Sequence, residues 1–213
     1  MYRAELITGI AALPVAIELT PGQIDLMLAY HQLLIKWNKT YNLTAVRDPQ
    51  QMISRHLLDS LSIAVHLRGE RFLDVGTGAG LPGIVLAILF PHRQFDLLDS
   101  NGKKTRFLFQ VKTQLKLDNV AIYQCRVEQH SEATSYDGII SRAFASLSDM
   151  VLGSGQLLKP SGHFYAMKGL YPAAEIEQLN QLANSYKVEQ AIALQVPGEE
   201  AERQLIVIAN NCD

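Results

Sequence analysis

The hydrophobic rhythm of the chain changes near residue 71. Before that point apolar side chains recur three and four residues apart, with Ile24, Leu28 and Ile35 on one stripe and His31 between them. That spacing describes a helix with one face turned to a core. Thr20-Pro21-Gly22-Gln23 marks where the helix begins: a capping threonine, a proline at the first helical position, and a glutamine able to bond back to the cap. Asp48-Pro49-Gln50-Gln51 repeats the signal ahead of Ile53, Leu57, Leu58 and Leu61, which predicts a second helix.

After residue 71, short apolar and β-branched runs alternate with helical patterns. "RFLDV", "QFDLL", "NVAIYQ", "YDGIIS" and "HFYAMK" read as strands, and residues 81–90, 103–117 and 147–158 as helices. Such alternation predicts an α/β fold with a doubly wound, mostly parallel sheet. "YKVEQAIALQV" and "RQLIVIAN" are joined only by "PGEEAE". A link that short cannot make a parallel crossover, so these two strands are expected to be antiparallel neighbours. The expected organisation is a helical extension over residues 1–70 and a sheet domain over residues 71–213, forming one compact unit. The first 20 residues carry no distinctive signal.

Composition narrows the class. The 213 residues are 48% hydrophobic, enough for a real core. The run "LITGIAALPVAI" is too short to span a bilayer, is broken by Gly9 and Pro14, and is flanked by Glu5 and Glu18. With no basic segment beyond Arg3 it is not expected to be a signal peptide, and the chain reads as soluble, cytoplasmic and monomeric, with no obligate protein partner. Cys125 and Cys212 are too far apart for a metal pair and too few for a disulfide framework, so both read as reduced thiols and no metal site is expected. Residues 1–71 carry 7 basic and 6 acidic side chains, residues 72–168 carry 10 and 8, and residues 169–213 carry 2 and 7. The acidic tail therefore hides a basic excess elsewhere, which permits a nucleic-acid-binding face without demanding one.

The candidate chemistry lies in "DVGTGAGLPGIVLA", residues 74–87. No lysine follows its glycines, so it is not a nucleoside triphosphate loop. Gly78-Ala79-Gly80-Leu81-Pro82-Gly83 satisfies the dinucleotide fingerprint, and Asp99 stands where a ribose-binding acid belongs. Asp74 weighs against that ligand, because a carboxylate facing the crevice would repel a pyrophosphate. S-adenosylmethionine carries no phosphate: Asp74 suits its positive end, amides at the following helix start suit its carboxylate, and Asp99 suits its ribose. The plainer alternative is that Asp74 caps the turn and Asp99 caps the next helix. Gly102-Lys103-Lys104 and Arg106 read either as an RNA phosphate contact or as a solvated helix face. Val127 and Glu128, after the third strand, fit an adenine contact, against a default of surface residues.

Taken together, "WNKTYNLTAVRDPQQMISRHLLDSL", "FLDVGTGAGLPGIVLAI", "LLDSNGKKTRFL", "RVEQ", "ISRAFASL", "FYAMKG" and "ERQLIVI" resemble the RsmG family, also called glucose-inhibited division protein B. These are bacterial 16S ribosomal RNA methyltransferases. The resemblance runs in order over nearly the whole chain, and "NLTAVRD", "HLLDSL" and "SRAFASL" are far more specific than the glycine loop. It implies a class I, Rossmann-like methyltransferase fold and transfer from S-adenosylmethionine to N7 of one guanine, position 527 in the 530 loop. The substrate would be 16S RNA or the small ribosomal subunit. By position, the family's cofactor contacts fall on Gly76, Leu81, Val127, Glu128 and Arg142; Asp74, Gly78 and Asp99 are added from the methyltransferase architecture.

Guanine N7 has a free lone pair, and its attack on a sulfonium methyl releases no proton. The chemistry therefore needs alignment and an electrostatic pocket more than a general base. The chain lacks the [DNS]-P-P-[YF] loop of amino-methylating enzymes, and Cys125 lies away from the usual nucleophile position. Arg142 has three readings: a donor to guanine O6, a cofactor contact or a structural salt bridge. Phe144 reads as a stacking platform or as core. In the extension, Asn38, Arg55, His56 and Asp59 have no apolar duty. Arg55 and His56 read either as closing over the cofactor pocket or, with Lys36, Lys39 and Arg47, as a modest RNA-facing surface; a packing role for the histidine is the bland alternative. A methyltransferase for a small molecule or protein, and a dinucleotide-binding oxidoreductase or sensor, are the competing functions.

Overall fold

The computed structural model describes residues 2–131, 136–142, 144, 146–182 and 185–210. Cys212, together with Ala143 and Ala145 of "SRAFASL", lies outside them. Two helices open the chain, α1 (Tyr2–Ala11) and α2 (Pro21–Tyr41). The cap of α2 is as expected: Gln23 N donates to Thr20 Oγ1 at 3.2 Å and Thr20 N to Gln23 Oε1 at 2.9 Å. Its buried face is offset from the expected stripe. Met27, Tyr30, His31, Leu34 and Asn38 are buried, whereas Ile24, Leu28 and Ile35 are only partly so. The reason is that α2 is packed from two sides, by α1 and by the helices of the sheet domain.

Asp48 starts the next helix by accepting from Gln50 N at 2.9 Å. The helix is unusual: a π-helical stretch, Ile53–Leu58, runs into a short α-helix, α3 (Asp59–Leu61). Hydrophobic periodicity does not foretell this widening.

The sheet follows with β1 (Arg71–Val75), α4 (Gly83–Leu89), β2 (Gln94–Leu98), α5 (Gly102–Leu115), β3 (Val120–Tyr123), β4 (Tyr136–Ser141), α6 (Leu147–Ser154), β5 (Leu158–Lys168), α7 (Ala173–Leu182), β6 (Tyr186–Leu194) and β7 (Arg203–Asn210). The strand order is β3-β2-β1-β4-β5-β7-β6. The first five strands pair in parallel, and β7 inserts antiparallel between β5 and β6. The expected antiparallel pair is therefore present, with its second strand inside the edge formed by the first. β1 and β2 are covered on both faces, which explains their unbroken apolar character. Phe72 and Phe95 stack across their register at 5.3 Å.

Three helix ends differ from the expected bounds, each for a local reason. α4 starts late, at Gly83, because residues 76–82 are used in the glycine turn. α5 stops at Leu115 because Lys116 adopts a left-handed cap, φ 54°. α6 stops at Ser154 and tightens into a 3-10 turn, Gly155–Leu157. Helices α1 and α7 had no clear signal in the sequence. One hydrophobic cluster joins the extension to the sheet, from Leu6, Met27, Leu34 and Leu57 through to Phe72, Ile84, Phe95 and Phe107. Trp37 of α2 lies 5.6 Å from Phe107 of α5, and Tyr30 donates to the carbonyl of Ala79 in the glycine turn at 2.8 Å. No helix among the described residues is long and apolar enough to cross a membrane.

Candidate functional site

At the carboxyl end of β1 the chain folds into a turn in which Gly76, Gly78 and Gly80 all have positive φ, 68°, 62° and 91°. Such angles strain any residue with a Cβ. The turn is laid over the end of β2, with Gly76 N and Thr77 N both donating to the carbonyl of Leu98 at 2.9 and 3.1 Å. Asp74 holds it from beneath: its Oδ2 accepts from Thr77 Oγ1 at 2.7 Å and from Gly83 N at 2.8 Å. Its Oδ1 is buried without a partner. Burial pushes the Asp74 carboxyl up to about 6, against the pull of those two hydrogen bonds.

A cleft of about 220 Å³ opens along the carboxyl ends of the parallel strands. Val75 and Gly76 come from β1, and Leu98, Asp99 and Ser100 from β2. Cys125, Arg126, Val127 and Glu128 follow β3, and Phe144 follows β4. Asp99 forms part of the wall while accepting from Gly78 N at 2.9 Å and Asn101 N at 2.8 Å, with Lys104 Nζ at 3.5 Å. The cap of α5 itself is Asn101, which accepts from Lys103 N. Burial raises the Cys125 thiol, keeping it protonated.

Of the residues singled out from sequence, Gly76, Asp99, Val127, Glu128 and Phe144, which also packs partly against the core, line this cleft. Asp74 does not face it; the carboxylate sits at 1% exposure under the turn. Gly78 contributes through the hydrogen bond its N–H donates to Asp99 Oδ2, and the Leu81 side chain is core. The start of α4 is not open to an anion, contrary to expectation. Gly83 N is taken by Asp74, and Ile84 N by the carbonyl of Gly80 at 2.8 Å. A pyrophosphate would find neither free amides nor a neutral floor there, so the geometry disfavours a dinucleotide. Ser100 and Cys125 line the cleft as well, although the sequence does not mark either as a site residue. The rule that ligands bind outside the carboxyl ends of strands in open α/β sheets was the signal that could have found them.

Arg142 directly follows β4 but is absent from the cleft's lining. Its Nη1 donates to Oδ2 of Asp59 at 3.1 Å and to the carbonyl of Arg55 at 3.2 Å. Arg203 Nε donates to the other oxygen, Asp59 Oδ1, at 3.2 Å. Arg55 Nε is held by both oxygens of Glu199 at 3.2 Å, and Ser54 Oγ donates to the same carboxylate at 2.8 Å. His56 is buried, not on the surface. Its Nε2 lies 2.9 Å from Thr44 Oγ1, and burial, aided by the Arg142 charge, holds its pKa down to about 4. Asn38 braces the same loop, donating to the carbonyl of Val46 and accepting from Thr44 N. Lys36, Lys39, Arg47 and Lys103 are exposed. Among the described residues no cluster of three His, Cys, Asp or Glu is arranged to hold a metal ion.

The sequence matches the family described as rRNA small subunit methyltransferase G over residues 23–207. A ribosomal RNA small subunit methyltransferase G from Enterobacter sp. (strain 638) is 54% identical over 92% of this chain and 93% of its own length. One from Hydrogenovibrio crunogenus is 56% identical over 85% of this chain and 83% of its own. In fold the chain is similar to a class I methyltransferase, the TrmK of M. capricolum in complex with S-adenosyl-homocysteine. That likeness has a TM-score of 0.57 and 12% identity, covering 71% of this chain and 67% of that one. The family match spans the cleft, the glycine turn and the Asp59 cluster alike, and the chain belongs to the rRNA small subunit methyltransferase G family.

Proposed function

We propose that this chain transfers a methyl group from S-adenosylmethionine to N7 of one guanine, position 527 in the 530 loop of 16S ribosomal RNA, in free RNA or in the small subunit. Methyl transfer to ribosomal RNA is the family's activity. The observation that carries the reading is that every residue lining the cleft falls within the family match.

The residues present fit the methyl donor. Asp99 offers carboxylate oxygens in the wall of the cleft, suited to ribose hydroxyls. Gly76 lets the backbone of the turn come close to a ligand. Val127 and Glu128, in the lining after β3, are suited to reading an adenine. When bound, S-adenosylmethionine supplies an electrophilic methyl group. The chain's own work is to exclude water, align the acceptor and supply a suitable field. Attack through N7 needs no base, and burial shifts the Cys125 thiol away from the thiolate form.

The test is labelled methyl transfer to 16S RNA and to small subunits from a strain lacking the protein, followed by mapping of the modified base. One 7-methylguanine in the 530 loop is the expected product. Label at another atom or another base overturns the N7 assignment. Binding of NAD without binding of S-adenosylhomocysteine overturns the donor assignment.

A further inference from the structure

Three segments far apart in sequence meet at one buried carboxylate. Asp59 is 2% exposed, and each of its oxygens holds a different guanidinium, Arg142 on Oδ2 and Arg203 on Oδ1. The same Nη1 of Arg142 also donates to the carbonyl of Arg55, which lies in the π-helical stretch just before Asp59. Wider helical turns of this kind recur at functional sites because they re-aim backbone and side-chain groups. Arg142 Nη1 is thus held at two points by residues 55–59.

Arg203 has a different task. Its Nη1 donates to the carbonyl of Glu202 at 2.9 Å and its Nη2 faces Glu199 at 3.9 Å, so this first residue of β7 is tied to the turn before it. By occupying Oδ1 it stops the Asp59 carboxylate from rotating away from Arg142. A buried ion cluster contributes little to stability compared with apolar packing of the same volume; what it fixes is orientation. The fixed group is next to the site: Arg142 lies two residues before Phe144, which lines the cleft, and its charge is felt by Asp74 beneath the glycine turn.

We propose that Asp59 is a positioning residue of the transferase, holding the guanidinium of Arg142, two residues before the cleft residue Phe144, while Arg203 locks the carboxylate in place. The inference rests on the methyltransferase reading above and on Arg142 meeting the donor, as the family resemblance implies.

The test uses the full chain and S-adenosylhomocysteine as probe, with calorimetric affinities and steady-state methyl transfer to small subunits. Asp59→Asn is expected to weaken S-adenosylhomocysteine about tenfold or more, the size of a lost charge-assisted hydrogen bond. KM for S-adenosylmethionine should rise while KM for small subunits holds, and Asp59→Glu should restore part of the affinity. The decisive arm is the Arg142→Met background, where adding Asp59→Asn should cost nothing further. Because Asp59→Asn alone strands two guanidiniums, the charge-balanced Asp59→Asn/Arg203→Gln variant repeats the measurement in a fold with less buried charge. Wild-type affinity in both Asp59→Asn proteins, or losses that multiply with Arg142→Met, overturns the proposal and leaves the methyltransferase reading standing. A wild-type chain that binds no S-adenosylhomocysteine overturns both.

Discussion

Asp74→Asn changes the charge beneath the glycine turn and almost nothing of its shape, so it isolates what that carboxylate costs the fold. Burial pushes the Asp74 carboxyl from 3.8 to about 6, although Thr77 and Gly83 both donate to it. A displacement of that size corresponds to about 3 kcal/mol. The sign follows from the raised value. The folded protein keeps this proton to higher pH than the unfolded chain does, so the contribution is full below about pH 4 and is lost as pH rises through about 6. Asparagine does not titrate. Placing its amide group where Oδ1 has no partner adds a fixed offset, which is the same at every pH and cancels from the trend.

The difference in stability, Asp74→Asn variant minus wild type, should therefore move in favour of the variant by about 2 kcal/mol between about pH 4.5 and pH 7.5. Urea unfolding of the ligand-free proteins measures it, and titrating histidines common to both drop out of the comparison. A difference that is flat with pH would mean that folding leaves this pKa unshifted, and one that runs the other way that the carboxylate is stabilised as an anion; either refutes the argument. Affinity for S-adenosylhomocysteine in the same variant then separates two uses of the group: a loss assigns Oδ1 to the donor, and an unchanged value assigns Asp74 to the turn alone.

Three further outcomes are expected. His56 is held neutral in the fold, down to about 4, so its contribution is present above pH 6.5 and lost as pH falls towards 4, about 3 kcal/mol in all. His56→Gln should flatten the acid limb of the stability profile while costing the Thr44 contact at neutral pH, as read by urea midpoints from pH 4 to 8. A Cβ at Gly83 would stand 2.2 Å from Leu97 Cδ2 and 2.7 Å from Asp74 Oδ2, so Gly83→Ala should destabilise by about 1–3 kcal/mol. Gly169→Ala, with nothing within 4 Å, should stay within about 0.5 kcal/mol in the same thermal melts. If the exposed Lys36 and Lys103 meet RNA phosphate, charge reversal at each should lower the salt slope of RNA binding by about 0.7 or more; unchanged slopes remove them from the RNA face.

The sheet was legible because central parallel strands are buried on both faces and leave short, unbroken apolar runs. "RFLDV", "QFDLL" and "YDGIIS" coincide with β1, β2 and β4. The short link before "RQLIVIAN" likewise required an antiparallel partner, and β7 has two. The cleft was half legible. Gly76, Asp99, Val127 and Glu128 were found because chain position after a strand decides who lines it. Asp74 was placed at the crevice for its charge, whereas the turn itself consumes one of its oxygens. That choice depends on which donors come within 3 Å, which spacing does not encode. The π-helical stretch was invisible for a similar reason, since apolar residues at Ile53, Leu57 and Leu58 satisfy an α-helix equally well.

The Asp59 cluster shows why the segments with the most specific family likeness lie outside the glycine turn. "NLTAVRD" supplies Thr44, bonded to His56; "HLLDSL" supplies Asp59; "SRAFASL" supplies Arg142; and "ERQLIVI" supplies Arg203. None of these residues lines the cleft; Thr44 holds His56, while Arg142 and Arg203 each hold Asp59. The N-terminal helix, silent in the sequence, acts on the same cluster by packing. Leu6 of α1 is fully buried, and the missing side chain of Gly9 leaves room for Leu58, the neighbour of Asp59, whose methyls a Cβ there would meet at 2.4 Å. The exposed Arg3–Asp25 pair adds little to this hold, because water and salt screen such contacts. It is apolar contact that presses α1 onto the π-helical stretch. The extension therefore works as the back wall of the Arg142 clamp, and its packing and the geometry of the site are expected to fail together.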